Sequence, residues 1–152
     1  MTELLESLHA PLLEEVSGLE NTPDGLRGQL DLRYGLLAFQ IDHDHDQEAL
    51  RVSVRLPPPL GAGQEFLIWC LSLNAQSWKA KIGVDESGFI LVHADLAVAH
   101  GEGEPEVELL REEIIESIDD IAELIDENLC GYLLERQLGT PTQIERWSGE
   151  HE

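Results

Sequence analysis

The tightest group of side chains able to hold a metal is Asp42-His43-Asp44-His45-Asp46, which alternates carboxylates with imidazoles. A metal site needs three or four convergent ligands, each oriented by a further hydrogen bond. In an extended strand successive side chains point to opposite faces, so the aspartates would lie on one side and the histidines on the other. The cluster also falls where two strands should be joined, and a solvated turn accounts for it. The calcium-loop pattern fails too, because no Gly stands at its sixth position and no Glu at its twelfth. As a second reading, these residues would serve a small-ligand or divalent-metal sensing regulator.

The remaining candidates for chemistry are weaker. His93 sits in a strand-like run with no nucleophile motif to activate, so it reads as a sheet residue rather than a base. Ten carboxylates lie between Glu106 and Glu127, but paired catalytic acids need a concave, partly dry site. Spread along one helix face, they read as a solvated surface. Gly61-Ala62-Gly63 resembles a phosphate loop in composition only, and no GxSxG, Walker, GxGxxG or HExxH pattern is present. The sequence therefore predicts no enzyme and no cofactor.

Composition narrows the function further. A chain of 152 residues with 42% apolar content supports one sizeable core. We expect one domain over 1–139 and a polar tail over 140–152. The net charge of −22 repels DNA, RNA and anionic membrane, whose recognition requires clustered Lys and Arg. The expected partner is another protein, basic or amphipathic. Cys70 and Cys130 lack any CxxC or Cys/His spacing and read as buried thiols of a reducing compartment. No basic leader and no apolar run of about 18 residues is present, so a soluble, cytoplasmic protein is expected.

These side chains must be positioned by a recognisable series of elements. Leu4, Leu5, Leu8, Leu12 and Val16 are spaced as a helix over 2–19, with Pro11 expected to kink or break it near Ala10. Residues 18–25 read as a turn. Strands follow at Leu26–Leu32, Leu36–Ile41 and Leu50–Leu56, the last ended by Pro57-Pro58-Pro59. The apolar run over 64–74 is ambiguous by periodicity, and its length favours a short, nearly buried helix, with Trp69 in the core. Trp78–Asp85 and Phe89–Leu96 form a hairpin around Glu86-Ser87-Gly88. Trp78 could anchor a partner.

The dominant element is Glu104 to Leu138, a long acidic helix. Val107, Leu110, Ile114, Ile118, Ile121, Ile125, Leu129 and Leu133 trace one apolar stripe. Gly131 is a candidate kink. At about 1.5 Å per residue it would be roughly 50 Å long, longer than the ~38 Å breadth of a globule of this size. It must overhang, bend or pack on another subunit. We expect Ile114, Ile118, Ile121 and Ile125 at a dimer interface.

The order helix, three strands, short helix, hairpin, long helix (α-β-β-β-α-β-β-α) is an α+β antiparallel sheet with flanking helices. It resembles the YbjN family and the structurally related type III secretion chaperones. The resemblance is carried by Leu71-Ser72-Leu73-Asn74-Ala75, by Lys79–Asp85 and by Gly88-Phe89-Ile90-Leu91. Such chaperones similarly end a helix on an apolar-Asn pair before a hairpin. The triple proline and the longer last helix depart from that pattern. The resemblance implies a non-catalytic, acidic homodimer that binds segments of another protein as a chaperone or adaptor. Trp78, Phe89, Leu91, Glu112, Glu116, Asp119, Asp120 and Glu123 are the expected partner-binding residues.

Overall fold

Alternating apolar residues from five runs combine into one sheet. The computed structural model describes residues 3–16, 18–32, 35–44, 48–56, 64–76, 79–98 and 107–135. Helix α1 (Glu3–Leu13) precedes strands β1 (Glu20–Thr22), β2 (Gly25–Leu32), β3 (Gly35–Asp44) and β4 (Ala49–Leu56). Helix α2 (Gln64–Asn74) then leads to β5 (Lys81–Val84) and β6 (Ile90–Ala97). The last helical stretch runs through α3 (Val107–Glu123), a π-helical segment (Leu124–Leu129) and α4 (Cys130–Glu135). The sheet has six strands in the order β1-β2-β3-β4-β6-β5, every pair antiparallel. The triple proline, Trp78, Trp147, His45, Asp46, the 101–105 lead-in and the 140–152 tail lie outside the described residues.

The α+β class and the expected element order hold, with β1 added. Residues 18–25 are more than a turn, because Glu20–Thr22 pairs back onto Gly25–Arg27. Thr22 Oγ1 accepts from the Gly25 N–H and donates to the Gly25 carbonyl, both at 3.0 Å, and so closes the tip. Strand β3 is longer than expected and takes in Asp42, His43 and Asp44, which pair with Arg51, Leu50 and Ala49. Those residues belong to a strand end, not to a turn.

One face of the sheet is apolar and covered. Leu26, Phe39, Ile41, Val52, Val54 and Val92 are among its fully buried members. Gly28 lies opposite Phe39, and a Cβ there would come 2.6 Å from the Phe39 ring. The missing side chain is the hollow that the ring fills. Helix α3 lies across β2, β4 and β6, with α1 beside it. The Ser117 hydroxyl, buried in this layer, donates to the Glu113 carbonyl at 2.8 Å and is thereby satisfied.

Four sequence expectations are corrected here. Helix α1 is not broken at Pro11 but runs through it to Leu13, ending short of the expected residue 19. Burial of Leu5, Leu8 and Leu12 on one stripe holds its last turn despite the missing donor. The long helix changes register at Leu124–Leu129, ahead of Gly131, which lies exposed within α4. A π turn inserts one residue into the helical repeat, so both Leu124 and Ile125, then both Leu129 and Cys130, point inward. Helix α2 buries only Phe66, Cys70 and Leu73, leaving Leu67, Ile68 and Leu71 exposed. Trp69 is partly buried, stacked 4.3 Å from Tyr132 of α4.

The fourth correction concerns the dimer seam. Ile114, Ile121 and Ile125 are 0% exposed and Ile118 9% within a single chain. They are the monomer's own core, because the stripe of α3 is consumed by the sheet beneath it. None of the four is left to meet a second copy. Truncating Ile121→Ala should destabilise the chain by about 2–5 kcal/mol, the range for a buried Ile. Denaturant unfolding should show the same loss over a roughly hundredfold range of protein concentration. A loss that shrinks as protein concentration rises would return Ile121 to a subunit interface.

Candidate partner-binding surfaces

The residues expected to bind a partner do not share one surface. Glu112, Glu116, Asp119 and Glu123 are exposed on α3, and Asp120 is half-buried. Glu116 accepts from Lys79 Nζ at 3.2 Å. Phe89 and Leu91 are half-buried on the opposite side of the sheet, where Leu91 pairs with Arg55 and Gly83. Period-two alternation sends Leu91 outward while Ile90 and Val92 face α3. The described residues therefore present two faces of different chemistry.

The first is a groove beside β2. Its walls are Glu15 and Val16 after α1, Gln29 to Asp31 of β2, and Ile115, Ile118, Asp119 and Ala122 of α3, around about 540 Å³. The floor is apolar, and Glu15, Asp31 and Asp119 rim it. Arg111 ties α1 to α3, with Nη1 3.5 Å from Glu15 and Nη2 3.4 Å from Glu108. Its buried Nε has no hydrogen-bond partner among the described residues. Strand β1 covers β2 only from Gly25 to Arg27. From Gly28 to Leu32 the outer edge of β2 has no strand beside it among the described residues, and that edge borders the groove.

The other sheet edge is closed. The Asn74 side chain, at the end of α2, accepts from the Ile82 N–H at 2.8 Å and donates to the Ile82 carbonyl at 2.7 Å. This amide copies a neighbouring strand at the middle of β5. Lys81 Nζ adds a bond to the Asn74 carbonyl at 3.0 Å. The apolar-Asn pair noted in the sequence thus joins helix to sheet. Beside it, Leu67, Ile68 and Leu71 are 46%, 55% and 70% exposed, and Val84 of β5 is 38% exposed. They form an apolar patch that the chain itself leaves uncovered.

The uncovered face of the sheet collects cations. Arg27, Gln40, Ser53, His93 and Lys81 form one cross-strand row. Arg51 holds Asp95 through two bonds, of 2.7 and 3.2 Å. Arg55 Nε donates to Asp85 at 2.8 Å, and its guanidinium lies 4.1 Å over the Phe89 ring. Asp85 also accepts the Ser87 and Phe89 N–H groups, which shapes the hairpin turn at Gly88, where φ is 87°. Four cations at alternating strand positions were a legible sign of this face. The groove was not legible, since its walls come from three distant segments.

Burial pushes the His93 imidazole below its ordinary 6.5, Arg51 pushes the same way, and Asp95 opposes them. His93 Nδ1 lies 3.3 Å from Asp95 Oδ2, out of line for a hydrogen bond. For Asp95 the Arg51 hydrogen bond outweighs burial and lowers the carboxyl. Partial desolvation raises Asp85, but the Phe89, Arg55 and Ser87 bonds together lower it. The His93 contribution to stability is complete above 6.5 and falls as pH drops through it, because the unfolded chain takes up a proton that the folded chain resists. The aspartate contributions persist above 3.8 and are lost further down. Denaturant unfolding from about pH 8 to about pH 3 should show both declines, and His93→Gln should flatten the upper one alone.

Family models and curated proteins yielded no match to the sequence. Solved structures did. YbjN from E. coli superposes with a TM-score of 0.62 at 16% identity, over 84% of this chain and 92% of that one. A chain of the ExsC-ExsE complex gives 0.55 at 17% identity, over 85% and 96%. A chain of the HopA1-SchA chaperone-effector complex gives 0.50 at 17% identity, over 78% and 90%. The backbone carries these likenesses where sequence identity is low, and the chain has the YbjN and type III secretion chaperone-like fold.

Proposed function

We propose that this protein is a non-catalytic chaperone or adaptor that acts as a homodimer and binds a basic, extended segment of another protein. The observation that carries the reading is the groove beside the open edge of β2. An incoming strand can pair with the edge at Gly28–Leu32 and lay its alternate apolar side chains on Ile115 and Ala122, which are only partly buried. Glu15, Asp31 and Asp119 then meet its basic residues. Glu112, Glu116, Asp120 and Glu123 extend the acidic field along α3, and a net charge of −22 raises the encounter rate with basic proteins. Many nucleic-acid-binding proteins have that character, whereas direct contact with nucleic acid is opposed by the same charge. Trp78, outside the described residues, is not needed for this geometry.

Two of the compared folds come from complexes with a partner protein, one of them of a chaperone with its effector, which supports protein binding as the activity. For the homodimer, the patch of Leu67, Ile68 and Leu71 on α2 takes the place of the α3 stripe. Three exposed aliphatics on one helix face, beside a blocked sheet edge, suit an isologous contact in which this patch meets the same patch of a second copy.

The charge requirement is tested by a double variant, Asp31→Asn with Asp119→Asn. A native lysate pull-down should retain basic proteins that leave as salt rises, and the variant should lose them while its melting temperature holds. Retention indifferent to these two carboxylates would reject the groove as the binding site. For the dimer, Leu71→Asp should halve the mass in light scattering, because a charge would be buried at the symmetry axis. A monomer mass for the unaltered chain at micromolar concentration would refute the dimer.

A further inference from the structure

The open face of the sheet holds a second hollow, of about 600 Å³, whose chemistry is the reverse of the groove's. Among the nine Lys and Arg of the chain, Arg27, Arg51, Arg55 and Lys81 occupy outward positions of this one face. Arg27 and Arg55 line the hollow itself; among the described residues its lining carboxylate is Asp42, whose Oδ1 already accepts from Gln40 Nε2 at 2.9 Å. Carboxylates share this face, Asp95 held by Arg51, Asp85 by Arg55 and Asp42 by Gln40, so what marks the hollow on a molecule that carries −22 is a pair of guanidiniums with unspent donors rather than a net positive charge.

Both arginines are set for a ligand rather than for the fold. Arg27 is exposed and makes no hydrogen bond or ion pair among the described residues. Arg55 is held in place by its Nε bond to Asp85 and by stacking on Phe89, which leaves both Nη groups without a hydrogen bond among the described residues. A guanidinium oriented in this way presents a fork that fits a carboxylate bidentately. The two arginines stand two strands apart, about 10 Å across the sheet, and one row apart, about 7 Å along it. Between them the outward side chains of the lining include Ala38, Phe89 and Leu91.

We infer that this hollow binds an acidic, apolar peptide segment of a partner protein, with a carboxylate on Arg27 and Arg55 and an aliphatic or aromatic side chain on Phe89 and Leu91. A bare inorganic anion would leave the apolar lining wet, and a basic segment would meet two guanidiniums. The site goes beyond the groove reading and is independent of it, since the two lie on opposite faces of the sheet. It also carries a distinct salt signature. At low salt the whole molecule repels an acidic ligand, and screening over about 8 Å at physiological ionic strength removes that repulsion before it reaches the close pairs in the hollow. Affinity for an acidic segment holds or rises with salt, whereas affinity for a basic one falls.

Fluorescence anisotropy on the full chain tests this with three labelled peptides of equal length, alternating Leu with Glu, Gln or Lys. The Glu peptide should bind, keep its affinity as salt rises, and weaken roughly tenfold with Arg27→Gln, the loss of one charge-assisted fork. Because Arg27 is exposed and makes no hydrogen bond or ion pair among the described residues, that variant should melt with the native chain. Equal binding of the Glu and Gln peptides, or indifference to Arg27→Gln, overturns the proposal. The Lys peptide reports on the groove alone: its loss with Asp119→Asn supports that reading, and its failure to bind counts against the groove without touching the Arg27 result.

Discussion

The pairing of β4 with β6 is the constraint from which the rest of the architecture follows. It joins Ala49 to Ala97 and Leu56 to Ile90 across sequence separations of 48 and 34 residues (97 − 49 and 90 − 56). Such non-local pairing is entropically demanding, and it encloses α2 and β5 in one loop. Register is then an all-or-none choice. A slip of one residue would turn Val52 and Val54 to the open face and drive Arg51, Ser53 and Arg55 beneath α3. The core and the cationic face are two consequences of the same alignment.

What the sequence made legible was periodicity. Strands β2, β4 and β6 follow from alternation at Leu26–Leu32, Leu50–Leu56 and Ile90–Leu96, and α2 from the length of its apolar run. The α3 stripe was equally clear as a buried face. A stripe, however, states only that it is covered, not by what, and the sheet of the same chain proved sufficient cover for Ile114 and Ile121. Short elements escaped for a related reason. Strand β1 has three residues, too few for alternation to register, and exists because Thr22 closes its turn. The register change at Leu124–Leu129 hides in a run where every residue but Asn128 is apolar or acidic. Of the expected partner-binding set, the α3 acids were legible as an exposed face. Their separation from Phe89 and Leu91 could come only from knowing which side of the sheet each element takes.

Acidity is distributed rather than uniform. Helix α3 carries its carboxylates away from the sheet, while the opposite face pairs most of its charges, as in Arg51 with Asp95 and Arg55 with Asp85. Exposed pairs of this kind contribute little to stability. Their effect is to fix side-chain direction and to keep the acidic field off one surface. At physiological ionic strength the two faces are separated by about a screening length or more, so the acids of α3 and the paired charges of the open face act on an approaching chain separately.

The contrast between the two sheet edges bears on solubility. A strand edge with free backbone groups is a template on which identical molecules can stack into fibres. Asn74 removes that hazard at β5 by occupying Ile82 with a side chain. At β2 the edge stays open, but Glu15, Asp31 and Asp119 stand around it, and any second copy brings the same acids and the same −22. Like charges at close range oppose that stacking. Like charge around the open edge thus does for β2, through the field, what Asn74 does for β5 through hydrogen bonds: it makes a second copy a poor partner for the exposed strand.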